Sequence, residues 1–564
     1  MGAVRKRWVT GYPVTAVAVV VAASVGLLSC EGLGGGTSTK PPAGGDFKGV
    51  SVQVRAQSPA QRLATLRSHT SAMRLGDLVN DKLPEPVLVE GVGLVVGLGG
   101  RGSKNVPAAY RKELLKSAAR IYEDPQEGAR ILGTTDSAAV AVAAALPPFA
   151  KQSDRLDLEM RAFSPEVNLD GGILGDVALE ELVKLPPGTR PNIGWVRPDG
   201  RVSRGVMAYG RGAVSATPAL RQGRPVAPTV ATVAYVPAAG IVEKDHGLLL
   251  VLRQSNAWNA LLIEEMLNRR FGNVARAESE AGVGVGLSPA YKEAWQRYMR
   301  VVFEMNLRAD ATEAPGLARN LIANLGAPGA TGERAEYALE ALGNPAVPIM
   351  LEALSRSTGQ TRRALLRVLS YLDIPEVEPE LVAQSRSGSN AERQEAAKLL
   401  GRFRNSASED ALLGLLNDAS GSVRAEAIES LAITESPKSQ QVISRYWSVQ
   451  QNFVVDSVAG TGANMVVVYP GPGIRRIEVF GRDVNVTDKA VASAGQVEVR
   501  STGDRVTFSV KNRPDLKPAA LPKPDLRMLL WALDRSQVPI NDMMLLILEL
   551  DRQRALTAKV EWMN

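Results

Sequence analysis

Three segments of this chain return at a fixed interval. TRRALLRVL, ERQEAAKLL and VRAEAIESL begin at Thr361, Glu392 and Val423, 31 residues apart each time, and a displaced, weaker copy, RAEYALEALG, precedes them. Each of the three carries an arginine, an Ala or Leu three positions on, and a leucine four beyond that, which is helical spacing. The later copies are followed by a second short helical stretch, such as EDALLGLL. A unit of this length is a helix pair that cannot bury its apolar face alone, so about three copies must stack before any is stable. The copies here meet that condition over roughly Gly332 to Trp447. An irregular helical bundle is the alternative arrangement.

Outside that region the pattern changes to short apolar pieces split by glycine and proline. VLVEGVGLVVGLGGRGSK, Val87 to Lys104, reads as strands whose backbones approach something closely or turn sharply, because glycine alone enters positive φ without cost. A phosphate loop is excluded by spacing. Gly91, Gly93 and Gly97 are one residue off the dinucleotide fingerprint, and GLGGRGSK inverts the Lys-Ser order of a Walker loop. A polar loop from Gly99 to Val106 follows, where a phosphate cradle needs a helix N-terminus. These glycines are therefore expected to be close-packing positions, and an unpaired strand edge near Gly91–Gly97 or Leu146–Arg161 would be a template for another chain.

AAVAVAAAL reads as a buried strand ending at Pro147-Pro148, and RLDLEMRAF alternates, with Leu156, Leu158, Met160 and Ala162 inward and Arg155, Asp157, Glu159 and Arg161 outward. Between the glycine run and that strand, AAYRKELLKSAARIY sets Tyr110, Leu114, Leu115, Ala118 and Ile121 at helical spacing. LLLVLRQ predicts a strand and NAWNALLIEEMLNRRFG a helix with Trp258, Leu261, Leu262 and Met266 on one stripe and Gly272 as C-cap. Near the other end, NMVVVYPGPGIRRIEVFGRDVNV and GQVEVRSTGDRVTFSV largely alternate at period two. DLRMLLWALDRSQV then places Leu526, Leu529, Leu530 and Leu533 together, and a second helix restarts after Pro539 with Asn541 as its expected N-cap. The segment from Gln57 to Leu78 is polar and predicted helical. Strands and helices mixed in this way make the fold class α+β, a strand-rich body with an inserted α-helical solenoid.

Arg5, Lys6 and Arg7, the apolar run VTAVAVVVAASVGLL and the closing LLSC form an export signal whose apolar core is short for a membrane span. Cys30 is the single cysteine in 564 residues, so internal disulfides are excluded. LLSC resembles the lipobox of bacterial lipoproteins, which implies acylation of Cys30; a plain secretory signal or an uncleaved anchor are the alternatives. Glu31 is not the aspartate that favours inner-membrane retention in such lipoproteins, so the resemblance implies attachment to the outer membrane. EGLGGGTSTKPPAGGDFKG then reads as a flexible tether.

A net charge of +7 spread over 66 basic and 59 acidic residues, with 5% aromatics, leaves no arginine-and-aromatic surface for nucleic acid. Catalysis finds equally little support. The chain has two histidines, His69 and His246, far apart in sequence, no cysteine in the body, and no clustered metal ligands, so no catalytic, metal or cofactor-binding residue is assigned. The neighbouring carboxylates Asp154, Asp157 and Glu159, or Glu264 and Glu265, read as solvated faces. A glycosidase pair acting on the cell wall remains as an enzyme alternative, because its two carboxylates can come from anywhere in a fold.

The order EGVGLVVGLGGRGSK, AAVAVAAALPPFAKQSDRLDLEMRAF, GGILGDVAL and VMAYGRGAV resembles the flagellar basal-body P-ring protein family, with LPPF at Leu146, Pro147, Pro148 and Phe149 as the most specific piece. The resemblance covers about Met73 to Arg308 and, more weakly, Asp525 to Asn564. The 31-residue units between resemble HEAT-type repeats. Glu90 and Val92 depart from the family's apolar residue and tyrosine, and Val177 from its threonine. The resemblance implies a non-enzymatic, periplasmic component of the bacterial flagellum that polymerises into the P ring around the rod at the peptidoglycan layer. Its partners would be further copies of itself, rod and L-ring proteins, peptidoglycan and, through the lipid, a membrane. The candidate assembly residues are Gly91, Gly93, Gly97, Leu146, Pro147, Pro148 and Phe149. The chain divides into a lipoprotein-type signal peptide (1–30), a tether (31–70), a P-ring-like region (71–310), HEAT-like repeats (311–447) and a C-terminal strand region with a P-ring-like helical end (448–564). The alternative is a lipid-anchored periplasmic scaffold whose repeats bind another envelope protein.

Overall fold

The computed structural model describes residues 47–80, 84–184, 201–216, 232–308, 312–434, 437–449, 451–471, 474–511 and 518–563. The signal segment and Cys30 lie outside the described residues. So does the first part of the span read as a tether. Its second part is helical, with α1 (Phe47–Arg55) and α2 (Pro59–Ser68); together with the short α3 (Leu75–Leu78) beyond it, these helices bury Val54, Leu66 and Leu75. Arg55 pairs with Glu264 at 3.0 Å and Arg62 with Glu265 at 3.1 Å, fastening these helices to the body. α2 and α3 fall in the stretch predicted helical from Gln57 to Leu78, whereas α1 stands where a tether was expected, its packed face resting on Val54 alone among buried residues.

The strands of the glycine-rich region close into a barrel. β1 (Val87–Val96), β2 (Ser137–Leu146), β3 (Arg155–Ala162), β4 (Ile173–Lys184), β5 (Arg201–Ala213) and β6 (Val233–Val242) follow the order β1-β2-β3-β6-β5-β4, with β4 returning to β1. All pairings are antiparallel, and β1 meets β2 in unbroken register from Val87 opposite Leu146 to Val96 opposite Ser137. The stretch read as several short strands around a hinge is thus one strand. Val89, Val95, Val140, Val142, Leu156, Leu158 and Met160 fill the interior. On the outside, α4 (Arg111–Tyr122) and α5 (Pro125–Ile131) cover Val92, Leu94 and Val96 with Leu114, Ala118 and Ile131. The alternation predicted for RLDLEMRAF is realised in this arrangement.

After the barrel, β7 (Leu248–Val251) leads into α6 (Ala257–Phe271), and β8 (Ala275–Ser279) and β9 (Gly282–Val285) complete a sheet ordered β7-β9-β8. Asn256 caps α6 by accepting from the backbone N–H groups of Trp258 and Asn259, and Gly272 ends it at φ +82. α7 (Trp295–Phe303) then turns the chain toward the repeats.

Four helix pairs follow: α8 (Ala314–Asn324) with α9 (Ala330–Leu342), α10 (Val347–Arg356) with α11 (Gly359–Tyr371), α12 (Glu378–Ser387) with α13 (Asn390–Leu400), and α14 (Ser406–Leu415) with α15 (Gly421–Thr434). The periodic arginines hold successive units together. Arg362 donates to both oxygens of Glu380 at 2.7 Å, and Arg393 to both of Asp418 at 2.6 and 2.9 Å. Arg424, the third in the series, has no further repeat to meet. It donates instead to the carbonyls of Asp418 (2.5 Å) and Ala463 (3.1 Å) and lies over the Phe480 ring.

Ala463 and Phe480 belong to the region that caps this end of the solenoid. After α16 (Pro437–Val442) come β10 (Ile443–Trp447), β11 (Phe453–Val458), β12 (Met465–Tyr469) and β13 (Arg475–Phe480), then the hairpin region β14 (Val491–Ala494), β15 (Val497–Thr502), β16 (Arg505–Val510) and β17 (Ala519–Leu521). α17 (Leu526–Arg535), α18 (Ile540–Arg552) and β18 (Lys559–Trp562) complete it. The first sheet is ordered β10-β11-β13-β12-β18 and the second β14-β15-β16-β17. One face of the first sheet packs with α17, α18 and the second sheet through Phe453, Val466, Ile477, Leu529, Leu533 and Ile547. Its other face, with Val458, Met465, Val467 and Phe480, joins the solenoid core. Leu526, Leu529, Leu530 and Leu533 are buried together as their spacing predicts. Asn541 does not cap α18. Pro539 takes the extended cap position, and Asn541 is buried inside the first turn.

Candidate functional site

Of the residues singled out for assembly, Gly91, Gly93, Leu146, Pro148 and Phe149 are buried, Pro147 is half-buried and Gly97 is exposed. Alternation along β1 directs Gly91 and Gly93 into the barrel, where β4 comes closest and the β1–β4 register shifts between Glu90 and Val95. A Cβ on Gly91 would stand 2.2 Å from the Ala178 carbonyl oxygen, and one on Gly93 would stand 2.9 Å from Leu174 Cδ1. Gly97 differs from both. It has open space around its Cα and a φ of +74, so it serves the turn that leaves β1. Because β1 pairs with β2 and β4, and β2 with β1 and β3, the strand edges proposed as joints are already satisfied within the chain. Closure removes an edge altogether, and with it the template for a second subunit at that place.

LPPF turns out to be a coupling between two cores. Leu146 completes the barrel interior, Pro147 and Pro148 end β2, and Phe149, at φ +63, swings its ring out of the barrel into the neighbouring core. There it meets Tyr298 of α7 edge-on, 6.0 Å between centroids, and Tyr298 in turn packs against Phe271 and Tyr291. Tyr291 stacks on Tyr371 of α11 at 5.6 Å. The aromatic chain therefore runs from the end of a barrel strand to the second helix pair of the solenoid. Sequence reasoning found the motif but not its target, since Tyr298 and Tyr371 are remote in sequence and carry no local pattern of their own.

A line of charges follows the same route. Arg297 of α7 donates through Nε to Glu340 at 2.9 Å and through Nη1 to Glu336 at 2.8 Å, both on α9, while Tyr291 donates to Glu340 at 2.6 Å. Glu336 also accepts from Arg367 of α11 at 2.7 Å, and Arg367 reaches Glu395 of α13 at 2.6 Å. Arg297 and Arg402 each lie over the Tyr371 ring, at 4.2 and 4.1 Å. Burial opposes the charge on Arg297, but Glu340 and Glu336 outweigh it and hold its pKa above the ordinary value. Burial and the same Glu340 carboxylate push the Tyr291 hydroxyl up. Such a network joins α7, α9, α11 and α13 into one unit and leaves few of those charges free for another molecule.

Of the carboxylates read as solvated faces, Asp154 and Glu159 are exposed, while Asp157, Glu264 and Glu265 have structural partners. Asp157 accepts from Arg475 and from the Ala238 N–H, and Glu264 holds both Arg55 and the Ala277 N–H. Glu265 pairs with Arg62 and Arg269. His69 stacks on Trp258 at 3.9 Å, and its Nδ1 lies 2.8 Å from the Thr65 carbonyl. Among the described residues no group of His, Cys, Asp or Glu is arranged to hold a metal ion, and no helix is long and apolar enough to cross a membrane.

A closed barrel coupled to a capped solenoid defines an α+β protein, and comparison with known proteins finds similarity in two regions. Residues 74–314 match the family model described as Flagellar P-ring protein, and residues 378–461 match that of HEAT repeats. The chain is thus similar to flagellar P-ring proteins over one region and to HEAT repeats over another. The flagellar P-ring protein of Aquifex aeolicus is 28% identical over 237 residues, covering 41% of this chain and 60% of the relative. That of Geobacter metallireducens is 30% identical over 266 residues, 44% of this chain and 65% of the relative. That of Rhodospirillum rubrum is 36% identical over 105 residues, 18% and 27%. The chain spans less than two thirds of the length of each of these relatives. A solved complex of CpcE and CpcF of phycocyanin lyase from Nostoc sp. PCC7120 is 27% identical over 23% of this chain and 84% of its own, at a TM-score of 0.20, which carries no fold argument. The resemblance read at 525–564 lies outside the matched segments.

Proposed function

We propose that this protein is a structural component of the bacterial flagellar basal body that assembles, with further copies of itself, into a periplasmic P ring around the rod at the peptidoglycan layer, beside the L ring. The observation that carries this reading is the P-ring family match over 74–314, the segment that folds into the barrel and its covering helices. Subunits in a ring join through heterologous surfaces that close by rotation. The barrel has no open edge, so the joints fall to strands that end a sheet among the described residues. Of the six such strands, β7, β8, β10, β14, β17 and β18, three carry a large exposed apolar residue: β7 with Leu249 50% exposed, β10 with Trp447 46% and β14 with Val491 49%. The repeats, capped at one end by α7 and at the other by the β10–β18 sheet, act as a rigid spacer more than as a grip. Electron microscopy of purified protein and of basal bodies tests the proposal. Closed rings are expected; monomers alone, together with an unchanged P-ring position in a deletion strain, would refute it.

The same proposal includes an acyl anchor on Cys30 that holds the body to the outer membrane. Cys30→Ser is expected to move the protein from the membrane to the soluble fraction and to abolish lipid labelling. Unlabelled wild-type protein that fractionates like the variant would exclude the anchor while leaving the ring reading intact.

A further inference from the structure

Where α15 lies against the β10–β18 sheet, a row of side chains crosses the strands. Arg445 of β10, Asp456 of β11, Glu478 of β13, Val467 of β12 and Glu561 of β18 are successive cross-strand partners, so they project from one face, the face that meets the solenoid. Arg445 satisfies Asp456 with two hydrogen bonds, at 2.7 and 2.8 Å. Glu561 is held at the N-terminus of α15, accepting from the Gly421 N–H at 2.6 Å.

Glu478 sits between them and is fully buried, yet neither of its carboxylate oxygens has a hydrogen-bond partner. The nearest cation, Arg476, stands 3.7 Å from Oε1, beyond hydrogen-bond reach. The groups facing Glu478 are Asp456 from β11, Glu429 from α15, Tyr469 from β12, and the cations Arg476 and Arg445. Glu426, also on α15, shares the seam and is balanced by Lys398 of α13 and by Arg476. The carboxylates in this seam outnumber its cations. A buried carboxylate without donors, beside others of its kind, is favoured in its neutral form.

We propose that the seam between α15 and the β10–β18 sheet is a proton-controlled latch, closed while Glu478 carries a proton and loosened when it ionises. Burial, reinforced by Asp456 and Glu429, pushes the Glu478 carboxyl up to about 8. In the open state the carboxyl meets water and returns to its ordinary range, so between those two values opening releases one proton. The latch is therefore fully closed below the open-state value, weakens as pH rises from there to the closed-state value, and changes no further above it. One proton released corresponds to roughly a tenfold change in the opening equilibrium per pH unit.

Hydrogen exchange of the full chain from pH 5 to 8, corrected for intrinsic rates, reads this directly. Protection of the α15 and β13 amides is expected to fall roughly tenfold per pH unit. In Glu478→Gln, which keeps the shape of the protonated acid, that slope should drop by one proton. Amides of α18 are the internal control. They report on Asp542, which is buried against Ser215 and the Gln496 N–H and is pushed up to about 7 by burial and Asp170, and their slope should be equal in both proteins. Flat α15 protection in the wild type, or an α15 slope untouched by Glu478→Gln, overturns the proposal. Glu426→Gln, on the opposite wall, should keep the Glu478 slope; losing all of it there would assign the proton elsewhere and overturn the proposal as well.

Discussion

Gly91→Ala is expected to prevent normal closure of the barrel. The added Cβ would fall 2.2 Å from the Ala178 carbonyl oxygen, and that oxygen belongs to backbone, which cannot rotate away. β4 is also held from its other side, where Ala178 is opposite Tyr209 of β5, so moving it strains a second pairing. The expected cost is about 3 kcal/mol, at the upper end of the range for overpacking. Gly93→Ala meets side-chain atoms of Leu174 and Val142, which can shift, and should cost roughly 1 kcal/mol. Gly97→Ala meets no atom, and its cost, about 1–2 kcal/mol, comes from the left-handed backbone. Denaturant unfolding of the three variants gives the order. If Gly91→Ala is as stable as the wild type, β1 and β4 do not pack as described.

Arg297→Ala should destabilise the protein by about 3–5 kcal/mol, because it strands Glu340 without its cation in a buried site and leaves Glu336 to Arg367 alone. Arg300→Ala, one turn further on α7, is the matched comparison. It removes the exposed pair with Glu333 and a long hydrogen bond to the Tyr337 hydroxyl, and should cost about 0–1 kcal/mol. Both are read from urea midpoints. The difference matters for function, since Arg297 joins the P-ring region to the repeats: its loss should also expose the α7–α8 connection to protease while the barrel stays folded. Equal midpoints for the two variants would mean that the repeats are joined to the body by apolar contact alone.

Much of the fold is legible in short windows of sequence. β3 announces itself through Leu156, Leu158 and Met160, the solenoid through Arg362, Arg393 and Arg424, and α17 through its leucines, because in each case one face is apolar and the other wet. What escapes are the features that depend on distant partners. Barrel closure rests on β4 finding β1, and nothing local in either strand declares that its second edge is filled. Phe149 looks like the end of a strand and acts as an anchor in another core. Glu478, in IEVF, reads as the outward residue of an alternating strand; both faces of that sheet are covered, so outward is still inside. Glu340 and Arg297 look like ordinary surface charges of two helices until the helices cross.

The bond between Glu561 and the Gly421 N–H joins residues 140 positions apart in the sequence. During folding, α15 must wait for β18 before its first turn is capped, and the β12 edge stays open to any passing strand until β18 pairs with it. Closing so long a loop is slow. The seam is thus among the last parts of the molecule to form, and a chain caught before that moment carries an unfinished sheet beside a finished barrel.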